Sequence, residues 1–313
     1  MKHLAIVGAG GVGTAIAFTA LNRGLARRIS LYDLDGARAE AEALDLRHGL
    51  EFVPPTVVEG GAGISVCADA DVVVVTAGAK QRQGETRLDL AGRNAAMLRQ
   101  MLPDVTAVAP DALILLVTNP VDVLTQLAVE VTGRDDGTVL GSGTVLDSSR
   151  LRHLLAQAYG IAERHIHAHV VGEHGDSEMV LWSSARIGGA PIEGVAKRDG
   201  SKLSLAERDE LVDQVRNAAY KVIQGKGATT WAIALATGQI LGALDQPVQS
   251  AVLPVTAPVS DSGLDLGHVC ISLPRRVDGT GAGPLLPITA TDPELEAIRA
   301  SAVKVAEAVE AVR

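Results

Sequence analysis

Aromatic side chains are scarce in this sequence, where they form 2% of the 313 residues, so aliphatic side chains must fill any core. The two cysteines, Cys67 and Cys270, are too few for a disulfide framework and lack the spacing of a metal site. No apolar run approaches the ~20 residues that cross a bilayer. Glycine interrupts the first apolar stretch after Val7, so we expect no targeting segment and a cytoplasmic protein.

Basic residues are also in deficit. The chain has 28 Lys and Arg against 37 Asp and Glu, a net charge of −9, which argues against a nucleic-acid partner. The hydrophobic fraction of 47% is enough for a large core and excludes a disordered chain. Because single cores rarely serve more than roughly 250–300 residues, the length predicts two lobes.

Strands and helices alternate through the first half of the chain. The runs Leu4–Val7 and Asp71–Thr76 are apolar without alternation, as in strands buried on both faces of a parallel sheet. Asp35 is placed to cap the helix that runs to about His48. The alternation predicts right-handed crossovers between parallel strands.

The pattern changes after about Gly143. We expect a histidine-rich strand, two long helices between Ser204 and Leu244, an antiparallel pair of Val248–Val255 with Val269–Leu273, a loop at Asp278–Gly283 and a helix from Asp292. The fold class is therefore α/β, with a doubly wound parallel sheet in residues 1–142 and a mixed α/β domain in residues 143–313.

Three glycines, Gly8, Gly10 and Gly13, follow the first strand and open the first helix. Their spacing is typical of a Rossmann-type fold, in which they allow a tight turn, approach of a pyrophosphate and close packing of helix on strand. Asp33, at the end of the second strand, is placed to accept hydrogen bonds from an adenosine ribose. Its charge would repel a 2′-phosphate, so we expect NAD rather than NADP.

A candidate acid–base group lies in the second half. His174 follows a predicted strand, and Asp147 and Arg150 share one face of a predicted helix. An aspartate can hold a histidine in one tautomer, and an arginine can bind a carboxylate through two hydrogen bonds. The simpler interpretation of Asp147 and Arg150 is a surface ion pair.

The segment Gly78–Leu88 follows the strand that ends at Thr76 and faces the predicted ligand crevice. It contains Lys80, Arg82 and Arg87, so it could close over a substrate and polarise a carbonyl. An ordinary solvated loop is the alternative.

Three histidines, His165, His167 and His169, alternate along one predicted strand. A metal array would need further ligands that the neighbouring sequence lacks, so we expect no metal site. A cationic face for an anion, or a subunit contact, is the favoured interpretation.

Five segments in order carry a resemblance to a known family: Gly78–Arg87, Val117–Asp122, Gly141–Arg150, Gly172–Ser177 and Gly225–Ile233. Together with the glycine motif they make the chain resemble an L-lactate dehydrogenase of the lactate/malate dehydrogenase superfamily. The resemblance covers essentially the whole chain. It implies a substrate domain in residues 143–313.

The resemblance also implies the roles of individual residues. His174 would be the proton donor and acceptor, Asp147 its orienting partner, Arg150 the clamp on the substrate carboxylate and Arg87 the residue that polarises the carbonyl. Beyond the glycine motif and Asp33, the cofactor would contact Val12, Gly78, Ala79, Asn119, Ser142 and Ile233, and Asn119 would also face the substrate.

Substrate choice is expected to depend on charge. Malate enzymes of the family have an arginine where this chain has the neutral Gln81, six residues before Arg87. Thr229 matches the bulky residue that shortens the pocket of lactate enzymes. The resemblance therefore favours pyruvate and L-lactate, although Arg82 beside Gln81 could restore the charge of a malate enzyme.

Regulation and assembly follow from the same resemblance. Arg152 and His167 match positions that bind fructose 1,6-bisphosphate between subunits in allosteric relatives, which implies activation by this bisphosphate and a homotetramer. Three alternatives remain open: a malate or broader 2-hydroxyacid dehydrogenase, a non-catalytic NAD-binding protein, and a metal-binding module that uses the three histidines.

Overall fold

The computed structural model describes residues 1–79, 87–134, 136–259 and 263–313, and the side chains of residues 87 and 88 fall outside this description. Strands and helices alternate in the first half, as predicted. The strands there are β1 (His3–Val7), β2 (Arg28–Tyr32), β3 (Val57–Gly61), β4 (Val72–Val75), β5 (Leu113–Leu116) and β6 (Val139–Gly141). The helices there are α1 (Gly11–Arg23), α2 (Gly36–His48), α3 (Arg87–Val108) and α4 (Val121–Thr132).

The second half mixes long helices with short strands. Its helices are α5 (Val145–Tyr159), α6 (Leu205–Lys226), α7 (Trp231–Leu244) and α8 (Asp292–Glu310). Its strands are β7 (Ile166–His167), β8 (Val170–Val171), β9 (Met179–Val180), β10 (Arg186–Ile187), β11 (Ala190–Pro191), β12 (Ala251–Leu253), β13 (Thr256–Pro258), β14 (Cys270–Ser272), β15 (Arg275–Asp278) and β16 (Gly281–Leu285).

One large sheet organises the described residues, with the strand order β3-β2-β1-β4-β5-β6-β13-β14. The strands β1 to β6 pair in parallel, and β13 pairs antiparallel with both β6 and β14. The strand order reverses between β1 and β4. In a doubly wound sheet this reversal opens a crevice at the carboxyl ends of the strands, where ligands bind.

The central strand β4 shows why the sheet is buried on both faces. Its four valines are all buried, and successive side chains point to opposite faces. Val73 and Val75 join the core on one face, whereas Val72 and Val74 join the core on the other. The run of valines without polar alternation is therefore explained by helices that cover both faces.

Side-chain caps define the beginnings of several helices. The Asp35 carboxylate accepts a hydrogen bond from the Arg38 N–H at 3.1 Å, as predicted. Ser204 and Glu207 bond reciprocally at the start of α6, where the Ser204 N–H reaches the glutamate at 2.8 Å. In the part of the chain that the structure describes, no helix is long and apolar enough to cross a membrane.

Two predictions for the second half are wrong. The segment Val248–Val255 does not pair with Val269–Leu273: β12 pairs with β15, and β14 pairs with β13. The Asp278–Gly283 stretch is not a simple loop, because it connects β15 to β16 and its last residues belong to β16. Short apolar segments bounded by Pro or Gly indicate strands but do not specify their partners.

Candidate active site

A cradle for a dinucleotide lies at the carboxyl end of β1, in residues Gly8–Gly13. Gly8 has φ +107°, and a Cβ there would lie 2.6 Å from the Ala77 backbone nitrogen. A Cβ at Gly13 would lie 1.9 Å from the Gly8 carbonyl oxygen. A Cβ at Gly10, in contrast, would meet no protein atom within 4 Å. Two of the glycines are therefore required by packing, and the third leaves open space in front of α1.

The start of α1 fits the phosphates of NAD. Its N-cap residue Gly10 provides no side-chain cap, so backbone N–H groups of the first turn stay available for an anion. Beside it, the Asp33 carboxylate accepts hydrogen bonds from the backbone N–H groups of Ala9 at 2.8 Å and Asp35 at 3.0 Å. These bonds fix an acceptor at the end of β2, where a ribose hydroxyl would lie. The residues present therefore fit the cofactor.

His174, Asp147 and Arg150 come together as one group. The Nδ1 atom of His174 lies 2.6 Å from Oδ2 of Asp147, and Arg150 donates to the other oxygen at 2.5 Å. The Asp147 side chain is 2% exposed, whereas that of His174 is 25% exposed. The aspartate and arginine are thus not a surface ion pair, and the imidazole that Asp147 contacts remains partly accessible.

The charges of this group keep the imidazole protonated. Burial lowers the pKa of His174, but the neighbouring Asp147 carboxylate outweighs burial and raises the pKa to about 9. Burial raises the pKa of Asp147, but His174 and Arg150 reverse this effect and lower it below its usual value. At neutral pH the pair is therefore imidazolium and carboxylate.

The loop that carries His174, residues 172–177, is held by side chains from distant segments. The His174 N–H donates to Asp122 Oδ2 at 2.7 Å, and the Thr256 hydroxyl donates to Asp122 Oδ1 at 2.5 Å. The Glu173 N–H donates to the hydroxyl of Ser301 in α8 at 2.8 Å. The loop therefore has little freedom to move the imidazole away from Asp147.

Glu178 is a second buried acid near the histidine. It is 3% exposed, and burial together with the Asp147 charge raises its pKa to about 8. Ligand atoms of Asp147, His174 and Glu178 lie within 4.8 Å of one another. Arg150 and His174 each bond one of the two Asp147 oxygens. Asp147 therefore has no free oxygen to offer a metal ion, and we interpret the three groups as acids and bases rather than as metal ligands.

Asn94 connects two predicted cofactor-binding segments. Its side-chain oxygen accepts from the Ala79 N–H and its side-chain nitrogen donates to the Asn119 carbonyl, both at 2.8 Å. At Gly78 a Cβ would lie 2.4 Å from the Thr118 methyl group, which explains the glycine. The Asn119–Pro120 peptide bond is cis. These contacts place the ends of β4 and β5 side by side at the crevice.

The remaining predicted cofactor contacts border the same region. Ser142 follows β6, is 4% exposed and donates its N–H to the Leu116 carbonyl at 2.8 Å. Val12 and Ile233 pack against the same core cluster. Thr229 lies between α6 and α7, and a Cβ at Gly11 would lie 3.4 Å from the neighbouring Thr230. The start of α7 is thus next to the cradle.

The loop residues Lys80, Gln81 and Arg82 lie outside the described residues, and so does the side chain of Arg87. Their predicted roles in substrate choice and in polarising the carbonyl therefore remain predictions.

The three histidines do not share one strand. His165 ends a short 3₁₀ helix, His167 belongs to the two-residue strand β7, and His169 lies between β7 and β8. Ile166, Ala168 and Val170 between and beyond them are nevertheless buried. The alternation thus reflects which side chains are buried rather than a continuous strand.

Arg152 and His167 line a common cavity of about 680 Å³. Arg164 and His169 also line it, together with the acid Glu163. Arg152 donates to the Ala168 carbonyl at 3.2 Å. Burial and the Arg152 charge lower the pKa of His169 to about 4, so its ring is neutral near pH 7.

Sequence reasoning assigned no role to Asn94, Asp122, Glu178 or Ser301. Asp122 lies in a segment that carried the family resemblance, and that was its only signal. The hydrogen-bond partners of Asn94 and Ser301 are 15 to 128 residues away, so local patterns could not identify them.

Known proteins resemble the chain over almost its full length. Residues 2–141 match the family described as lactate/malate dehydrogenase, NAD binding domain, and residues 144–313 match the α/β C-terminal domain of the same family. The chain is 43% identical over 300 residues to the L-lactate dehydrogenase of Bifidobacterium animalis subsp. lactis (strain AD011), which covers 96% of this chain and 93% of the relative. It is 42% identical over 308 residues to that of Synechococcus sp. (strain JA-3-3Ab), with 98% of each chain covered.

Solved structures agree. The minor L-lactate dehydrogenase from Enterococcus mundtii superposes with a TM-score of 0.92 at 35% identity, covering 100% of this chain and 98% of that chain. A lactate dehydrogenase enzyme from a Medee basin deep-sea metagenome library gives 0.92 at 33% identity, covering 99% and 98%. The predicted fold class is confirmed: a Rossmann domain with a parallel sheet precedes an α/β domain. The chain belongs to the lactate/malate dehydrogenase family, and its N-terminal domain is an NAD-binding domain.

Proposed function

We propose that this chain is an NAD-dependent L-lactate dehydrogenase that interconverts pyruvate, NADH and a proton with L-lactate and NAD⁺. The observation that carries this proposal is the buried Asp147 bonded to both His174 and Arg150, beside an NAD-binding domain. The relatives from Bifidobacterium and Synechococcus are L-lactate dehydrogenases, which supports the same substrate here.

His174 acts as the proton donor in this proposal. Its Nδ1 is engaged by Asp147, so Nε2 is the nitrogen that gives its proton to the substrate oxygen. The pKa of about 9 keeps that proton in place at neutral pH. When bound, the nicotinamide supplies the hydride for pyruvate reduction. The imidazolium then neutralises negative charge that develops on the oxygen.

Arg150 and neighbouring residues bind and select the substrate. Arg150 uses one guanidinium nitrogen for Asp147, which leaves other donors for the substrate carboxylate. We propose that Asn119 and Thr229 line the pocket, that Arg87 polarises the carbonyl and that Gln81 admits the uncharged methyl group of pyruvate. A buried arginine at position 81 would need a second carboxylate on the substrate, as in oxaloacetate.

The decisive experiment follows NADH absorbance with pyruvate and with oxaloacetate. We expect kcat/KM to favour pyruvate by at least about 100-fold, the order expected when one charge is left unpaired. Gln81→Arg should shift the preference towards oxaloacetate, whereas Arg82→Gln should not change it. A wild-type preference for oxaloacetate would support a malate dehydrogenase, and turnover of neither 2-oxo acid would support a non-catalytic NAD-binding protein.

We also propose activation by fructose 1,6-bisphosphate in a homotetramer. The cavity of about 680 Å³ supports this, because Arg152, Arg164 and His167 supply cationic or protonatable groups on one surface. We expect the bisphosphate to lower the KM for pyruvate in the wild type but not in Arg152→Gln. Sedimentation with and without bisphosphate measures the assembly. An unchanged pyruvate saturation curve in the wild type would refute the activation.

A further inference from the structure

A second cavity, of about 580 Å³, lies beside the β15–β16 hairpin, between the segment that precedes β6 and the end of β13. Most of its lining is apolar. The apolar side chains come from Pro258, Val259, Leu264, Pro284, Leu285, Leu286, Pro287 and Ile288. None of the residues assigned to the catalytic group or the NAD cradle lines it, so it is a separate feature of the molecule.

One buried cation, Arg275, lines this cavity. Arg275 lies at the start of β15, and the residue is 3% exposed. One terminal nitrogen donates to the carbonyls of Ala257 and Pro258, each at 3.2 Å, while Nε has no hydrogen-bond partner. Burial lowers the pKa of Arg275 to about 10, so the guanidinium is still charged at neutral pH.

The charge of Arg275 is not compensated by the described residues. No carboxylate among them lies within the 4.0 Å of an ion pair with this guanidinium. Asp136, which also lines the cavity, is bonded to the backbone N–H and the hydroxyl of Thr138. A buried charge without a counter-charge is strongly destabilising. An anion that enters the cavity would therefore be bound by an ion pair with Arg275 that the described residues do not supply.

We propose that this cavity binds a small organic monocarboxylate with an apolar body. The carboxylate would pair with the free side of the Arg275 guanidinium, and the apolar body would lie against the leucine, proline and isoleucine side chains. A single cation matches a single negative charge. A phosphate dianion or dicarboxylate would leave one charge unpaired in an apolar cavity and would approach Asp136.

The neighbouring arginine provides a matched control. Arg276 follows Arg275 on β15 but is exposed, whereas Arg275 is buried. Arg275→Met removes the buried charge and keeps an unbranched side chain, whereas Arg276→Met removes an exposed charge from the same strand. Since removing a buried charge without a counter-charge also removes the cost of taking that charge out of water, we expect Arg275→Met to fold.

The test is titration calorimetry of the full chain with octanoate. We expect one octanoate per chain, with affinity lowered at least about 10-fold in Arg275→Met and unchanged in Arg276→Met, as for loss of a charged hydrogen bond. Arg150→Gln should keep the affinity, which separates this cavity from a carboxylate site at the catalytic group. Hexanoate should bind more weakly than octanoate, by about fourfold for each methylene, from ~0.8 kcal/mol per buried CH₂.

Three results would overturn the proposal. Equal affinity for octanol and octanoate would mean that Arg275 does not bind the carboxylate. Equal affinity of wild type and Arg275→Met would place octanoate elsewhere. Asp261 lies outside the described residues, so the experiment also includes the variant Asp261→Asn. Octanoate binding to this variant but not to the wild type would mean that Asp261 already pairs with Arg275. If Arg275→Met does not fold, the octanoate, octanol and hexanoate comparison on the wild type decides.

Discussion

The dinucleotide cradle and the loop of residues 172–177 are both turns after a strand, yet they are stabilised in different ways. Gly8 and Gly13 shape the cradle because a Cβ at either position would collide with backbone. The loop around His174 is held instead by the side chains of Asp122 and Ser301, which bond its backbone N–H groups. Backbone thus forms the cofactor site, and long-range side-chain bonds position the candidate proton donor.

Substitution of His174 is expected to have the largest effect on activity, and it tests whether the His174 loop can be changed without affecting the cofactor cradle. His174→Gln removes the group that holds the proton, so kcat/KM for pyruvate should fall by about 10²–10⁴-fold, the usual contribution of a positioned acid. NADH affinity, measured by fluorescence titration, should be nearly unchanged because the cradle is intact. His153→Gln is the control, since His153 is 59% exposed on the outer side of α5 and its loss should leave kcat/KM unchanged. A small effect of His174→Gln on kcat/KM would contradict its role.

The next effect separates two glycines of the cradle. Gly13→Ala places a Cβ 1.9 Å from the Gly8 carbonyl oxygen, so the fold should lose about 1–3 kcal/mol of stability and NADH affinity should fall as well. Gly10→Ala meets no protein atom within 4 Å, so it should keep the melting temperature and weaken NADH alone. Thermal unfolding and fluorescence titration measure the two quantities. Similar melting temperatures for both variants would mean that Gly13 is not packed as described.

A pH series tests the charge state of the histidine. With a pKa of about 9, His174 is protonated at neutral pH, so kcat/KM for pyruvate should fall tenfold per pH unit above about pH 9. Lactate oxidation needs the neutral ring, so its kcat/KM should rise tenfold per pH unit up to about pH 9 and level off above it. The raised pKa also stabilises the fold fully below the ordinary histidine pKa of 6.5, and this contribution is lost as pH rises through about 9. If kcat/KM for pyruvate instead begins to fall near pH 6.5, Asp147 does not raise the pKa of His174.

The smallest expected effect comes from Ser301, which touches no substrate. Ser301→Ala leaves the partly buried Glu173 N–H without its acceptor and should cost about 0.5–1.5 kcal/mol of unfolding free energy. It should lower kcat a few-fold, because the His174 loop is less fixed, and leave NADH affinity unchanged. Val303→Ala on the same helix is the control, because Val303 is 55% exposed and should change neither quantity. Loss of NADH affinity in Ser301→Ala would indicate a general defect instead.

The sequence predicted the parts of this molecule that depend on neighbours in the chain. The apolar runs predicted the buried strands, and the glycine spacing predicted the cradle. Asp147 and Arg150 were paired from their helical spacing alone. Pairings between separate segments were not predictable: the predicted partners of β12 and β14 were wrong, and Asn94 and Ser301 went unnoticed. A short strand or a lone serine carries no local sign of which distant segment it contacts.

Antiparallel pairing of β13 with β6 has a consequence for how the chain can be divided. Thr256 continues the sheet directly from Gly141, so the second half covers the last parallel strand of the first. A fragment that ends near residue 142 would keep the cradle but expose an uncovered strand edge, which invites association with other chains. The cofactor-binding half is therefore expected to aggregate when produced alone, and its solubility depends on a strand that follows His174 in the chain.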